Sequence, residues 1–107
     1  NPMILVYIVC GSKKEAKKIG KALLKKRLCG CVNIFANMTS LCFWPPKTNK
    51  FCEAKETVLL VKTMEEKFME IETEVGKLHS YDTPCIFSIK VDKVNKPYFK
   101  WLKEEIS

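Results

Sequence analysis

The chain has 107 residues, enough for one domain. Hydrophobic residues make up 47% and charged residues 29%, the balance of a globular protein, which excludes intrinsic disorder. The longest apolar run, Met3 to Cys10, is far shorter than the roughly 20 residues of a membrane span. The net charge of +7 arises from 19 basic and 12 acidic residues. Arg27 is the sole arginine, so bidentate recognition of phosphate or guanine is poorly supplied and no nucleic-acid partner is expected.

Met3–Cys10 is an unbroken β-favouring run that predicts a strand buried on both faces. Ser12 and Glu15 form a capping box that starts a helix. Ala16, Ile19, Gly20, Leu23, Leu24 and Leu28 recur at helical spacing with lysines opposite, and Gly30 is the expected stop. Cys31–Phe43 alternates as a long second strand, with a phase shift near Thr39-Ser40 that predicts a bulge there. Trp44-Pro45-Pro46 and Thr48-Asn49 form a turn, and Phe51–Lys62 returns as the third strand, buried over Thr57–Val61. Thr63 and Glu66 make a second capping box before a helix carrying Met64, Phe68, Ile71, Val75 and Leu78. Tyr81–Pro84 breaks it, Cys85–Val91 is a fourth strand, and Asn95 caps a short final helix.

The order β-α-β-β-α-β plus a terminal helix is that of an α+β ferredoxin-like sandwich, 1–107 as a single domain, with both crossover helices on one side of an antiparallel sheet. The other side would expose about a thousand Å² of apolar surface, where a soluble monomer seldom exceeds a few hundred. A cyclic homo-oligomer is therefore expected. The six cysteines fall largely in apolar strand patterns and show no CxxC spacing, so reduced thiols in the cytoplasm are expected. The chain begins Asn1-Pro2, which is also compatible with a targeting segment removed upstream.

Four stretches then become familiar. Arg27-Leu28-Cys29-Gly30-Cys31-Val32-Asn33-Ile34, Glu56 with Leu59-Leu60-Val61-Lys62-Thr63, Leu78-His79-Ser80-Tyr81-Asp82-Thr83-Pro84, and Asn95 with Tyr98-Phe99-Lys100-Trp101-Leu102 lie in order along the chain. They resemble the CutA family of divalent-cation tolerance proteins. The resemblance implies a PII-like homotrimer, links to copper and divalent-cation tolerance, and no established catalytic activity. It further implies a metal site in which Cys10 and His79 match a strand-ending thiol and one of two histidines, with Leu78 in place of the other. Ser80 stands where the family usually has Pro, and Cys85 where it has Glu.

Three readings of the residues follow. On the positions that the resemblance implies, Cys10 and His79 are the candidate metal ligands, a thiol with an imidazole suiting Cu(I) or Zn, with Cys85 a further soft donor. The plainer roles are a buried strand thiol for Cys85 and a helix-capping imidazole for His79. Lys62, placed just before a predicted helix start, could instead hold a small anionic ligand in an intersubunit cleft with Tyr81, Glu56, Asn33 and Trp44. The plainer role for Lys62 is a salt bridge to Glu56 or Asp82. A third reading is a scaffold that recruits another protein through the hairpin tip at Pro45-Pro46 or through the basic first helix. No nucleophile is paired with the single histidine, so an enzyme is not expected.

Overall fold

β1 (Met3–Cys10) is the hub of the sheet: Ile4, Val6, Ile8 and Cys10 on one side are buried, and of the alternate residues Met3 is buried while Leu5, Tyr7 and Val9 are half-buried. In the computed structural model, which describes residues 1–106, it pairs antiparallel with β3 (Phe51–Met64) and with β4 (Ile86–Lys90). β2 (Cys31–Phe43) adds to the far side of β3, giving the order β2-β3-β1-β4. Helices α1 (Lys13–Lys25) and α2 (Phe68–Leu78) cover one face. Their Ala16, Ile19, Leu23, Ile71 and Val75 meet Val6, Ile8, Leu59 and Val61 of the sheet in one buried cluster. This is the expected ferredoxin-like α+β arrangement. A final helix, α3 (Lys96–Glu105), buries Leu102 against Met3 and Met64, which point to the opposite face.

α1 begins as the sequence predicts, with the Ser12 hydroxyl accepting the Glu15 N–H (3.1 Å). Its end differs. The stop is made by Arg27, at φ 57°, with Leu28 N–H donating to Leu23 O (3.1 Å) and Arg27 N–H to Leu24 O (3.0 Å). That is a Schellman motif with arginine at the left-handed position that glycine usually fills. Gly30 serves packing instead, since a Cβ there would sit 2.5 Å from Leu102 Cδ1.

Three other expectations are corrected. The bulge lies between Phe35 and Met38, where Asn37 takes φ 61°, rather than at Thr39-Ser40. Asparagine tolerates that left-handed geometry because its short polar side chain bonds locally. Thr63 and Glu66 do not cap a helix: β3 runs on to Met64, and a 3-10 turn (Glu65–Lys67) precedes α2. The buried Thr63 hydroxyl donates to Leu28 O instead (2.6 Å). At α3, Asn95 is the N-cap by backbone position, without a side-chain capping bond, and Phe99 N–H donates to its carbonyl (3.1 Å).

The face opposite α1 and α2 is covered by α3 only at the Met3/Met64 end. Beyond it, Phe35, Phe87 and Ile89 are 56%, 45% and 43% exposed, beside half-buried Leu5, Tyr7 and Leu60. Tyr7 stacks on Phe87 with ring centres 4.9 Å apart. The outer halves of β2 and β3 extend as a two-stranded ribbon past the body, which gives principal extents of 47 × 26 × 23 Å.

Candidate functional site

The end of β1, the first turn of α1 and the end of α2 converge. β1 closes with Cys10, fully buried on the helix side of the sheet. Glu15 lies in the first turn of α1, and His79 is the residue that ends α2. One ligand atom from each of these three residues lies within 4.8 Å of the other two. The structure thus brings Cys10 and His79 together as the sequence expects, and adds Glu15.

Two of the three groups, His79 and Glu15, are already engaged. His79 Nδ1 accepts the Tyr81 N–H (3.0 Å), which assigns the ring proton to Nε2 and its bond to Val9 O (2.7 Å). Glu15 Oε1 accepts the Gly11 N–H (2.8 Å) and Oε2 the Ser80 N–H (2.9 Å). Burial works to raise the Glu15 carboxyl pKa. Hydrogen bonds from Ser80 and Gly11, with the nearby His79, outweigh it and hold the group below the usual carboxylate range. Burial and then the Glu15 charge push the Cys10 thiol up to about 12. At neutral pH the cluster therefore holds a thiol and a carboxylate, beside a histidine ring whose two nitrogens are both engaged in hydrogen bonds.

Tyr81 extends the network outward. Its hydroxyl donates to Glu56 Oε2 (2.6 Å), and its ring packs against His79 with centres 4.8 Å apart. That hydrogen bond, then burial and the carboxylate charges, raise the phenol to about 12. The segment after α2 is thus fastened to β1, α1 and β3 at once.

The thiol and imidazole suit a soft or borderline cation such as Cu(I) or Zn(II), and the Glu15 carboxylate adds a harder oxygen donor. Ligand atoms about 2.0–2.3 Å from a tetrahedral ion stand roughly 3.3–3.8 Å apart, so the three need to close by about 1 Å. Binding also requires loss of the Cys10 proton and release of one imidazole hydrogen bond.

The remaining candidates lie elsewhere. Cys85 precedes β4 rather than opening it; it is exposed, its carbonyl accepts Val9 N–H (3.2 Å), and it stands outside the three-residue cluster. Burial and then Glu56 raise its thiol pKa. Lys62 lies inside β3, not at a helix start, with Nζ 5.7 Å from the centre of the Tyr98 ring. Asn33 pairs with Leu60 in the sheet, and its amide donates to Val32 O (3.4 Å). Trp44 is exposed at the end of the ribbon. Of the five proposed cleft residues, one chain joins only Tyr81 and Glu56. Glu15 escaped the sequence reading as a site residue because its capping role already accounted for it. The available signal was its position one turn after a strand-ending cysteine.

Comparison with known proteins agrees with this architecture. The divalent-cation tolerance protein CutA of Archaeoglobus fulgidus is 41% identical over 101 residues, 94% of this chain and 95% of its own. That of Thermotoga maritima is 40% identical over 104 residues, 97% of this chain and 99% of its own. Among solved structures, the periplasmic divalent cation tolerance protein CutA of A. fulgidus superposes with a TM-score of 0.91 at 39% identity, covering 98% of this chain and 99% of that one. CutA1 of Oryza sativa gives 0.93 at 27% identity, covering 99% and 94%. With the model of the CutA1 divalent ion tolerance protein family matching residues 4–105, the chain belongs to that family.

Proposed function

We propose that the chain is a homotrimeric metal-responsive protein that binds copper, rather than an enzyme, with Cys10, His79 and Glu15 as the ligands. The observation that carries this reading is the convergence of the three donor atoms within 4.8 Å, in a member of a divalent-ion tolerance family. A thiol with an imidazole favours soft Cu(I). The trimer rests on the open sheet face, whose Phe35, Phe87 and Ile89 need a partner surface. The six free cysteines favour a reducing setting such as the cytoplasm, although the A. fulgidus structure is described as periplasmic.

Anaerobic Cu(I) titration of the reduced protein tests the metal assignment. Cys10→Ala and His79→Ala are each expected to remove binding at this cluster, and unchanged stoichiometry and affinity in both would refute it. Because the Cys10 proton must leave, affinity should rise as pH is raised from 6 to 8, by about tenfold per unit for the thiol proton.

A further inference from the structure

The projecting ribbon carries a pair of thiols. Cys42 on β2 and Cys52 on β3 are direct cross-strand partners, both free, the first exposed and the second half-buried. Partners in antiparallel register share one face of the ribbon. Register is pinned on the tip side, where Phe43 opposes Phe51 with ring centres 5.0 Å apart and Trp44 N–H donates to Lys50 O (2.9 Å).

That last bond fixes the type of pair. Trp44 and Lys50 continue the same register and are hydrogen-bonded, and the two kinds of pair alternate along an antiparallel ladder. Phe43/Phe51 is then the non-hydrogen-bonded pair, and Cys42/Cys52 is hydrogen-bonded. In such pairs the Cα atoms stand about 5.5 Å apart and the Cβ atoms lie at the wide end of roughly 4.5–5.5 Å. A disulfide draws Cβ atoms to about 3.5–4.5 Å, so a direct S–S bond requires the ribbon to pinch. Two sulfurs each about 2.3 Å from one ion stand up to about 4.6 Å apart, which suits the wider spacing.

We propose that Cys42 and Cys52 form a dithiolate site for one thiophilic cation of the Cu(I) type, separate from the Cys10 cluster. Each thiol releases its proton to solvent and each sulfur gives a lone pair to the ion, leaving a complex of one negative charge with no change of oxidation state. Lys50, two residues before Cys52 in the chain, is the cation available to offset that charge. Zn(II), which takes four ligands, would be left half-coordinated.

The test is anaerobic Cu(I) titration of the reduced full chain against a chromophoric Cu(I) chelator, with thiolate-to-copper ultraviolet absorption as the second readout. Both cysteines lie outside the buried core, so Cys42→Ser/Cys52→Ser should remain folded by circular dichroism. It is expected to lose about one bound ion per chain and the matching absorption, while Cys10→Ala loses only the ion of its own cluster and keeps the ribbon ion with its absorption. An unchanged stoichiometry and spectrum in the double variant overturns the proposal and leaves the Cys10 assignment untouched. Complete formation of a Cys42–Cys52 disulfide on exposure to oxidised glutathione, shown by peptide mapping, overturns it as well.

Discussion

Glu15 illustrates how one side chain ties distant parts of the chain together. Its two oxygens hold the Gly11 and Ser80 amides, so the start of α1 and the segment after α2 share a carboxylate. Because the folded carboxyl titrates below its ordinary value of 4.5, its stabilisation is complete above that value and fades as pH falls through the lower folded value. Glu15→Gln should therefore cost about 1 kcal/mol at pH 7, after allowance for solvent screening. The difference in Tm from wild type should narrow as pH falls below 4.5. A gap that does not narrow anywhere in the acid range would contradict this. Cys10 and His79 were legible in the sequence through their motifs. The Glu15–Ser80 link was not, because the partners lie 65 residues apart and a capping box looks complete with local partners alone.

At the level of elements, α3 depends on a gap that a single methyl group would close. Leu102 is fully buried beside Gly30 and has little room to retreat. Gly30→Ala is expected to destabilise the protein by about 1–3 kcal/mol, seen as a lower denaturant midpoint, with α3 amides exchanging faster. Leu102→Ala should cost about 2–5 kcal/mol through the cavity it leaves. The order of strands and helices was readable because hydrophobic period and turn residues agree along most of the chain. The ends of elements were less so. Gly30 and Thr63 resemble a helix stop and a helix cap locally, yet α3 claims the first and the Leu28 carbonyl the second.

The molecule as a whole has a Cα radius of gyration of 14.9 Å, against about 13 Å for a compact chain of this length. The excess reflects the ribbon, which its own chain leaves exposed. Together with the open sheet face this supports assembly, and the assembly is directly measurable. Light scattering should report three times 12.4 kDa for the wild type. Phe87→Glu, which places a charge beside Tyr7 on the open face, should shift the mass toward 12.4 kDa. A Phe87→Glu protein that remains fully trimeric would mean that this surface is not the interface. The sequence announced the uncovered face through the doubly apolar β1. It could not announce how the proposed cleft residues are divided, because Lys62 and Tyr81 are separated by folding and not by any local pattern.

The central position of β1 also shapes how the protein is made. This strand leaves the ribosome before both of its partners, one of which begins to reach it with Thr57 and the other only with Ile86. At synthesis rates of about 5–20 residues per second, the most apolar stretch of the chain waits roughly 4–17 s for its last partner. Chaperone demand should therefore concentrate on this interval, and a nascent chain arrested before Ile86 would carry an unpaired hydrophobic edge for as long as the arrest lasts.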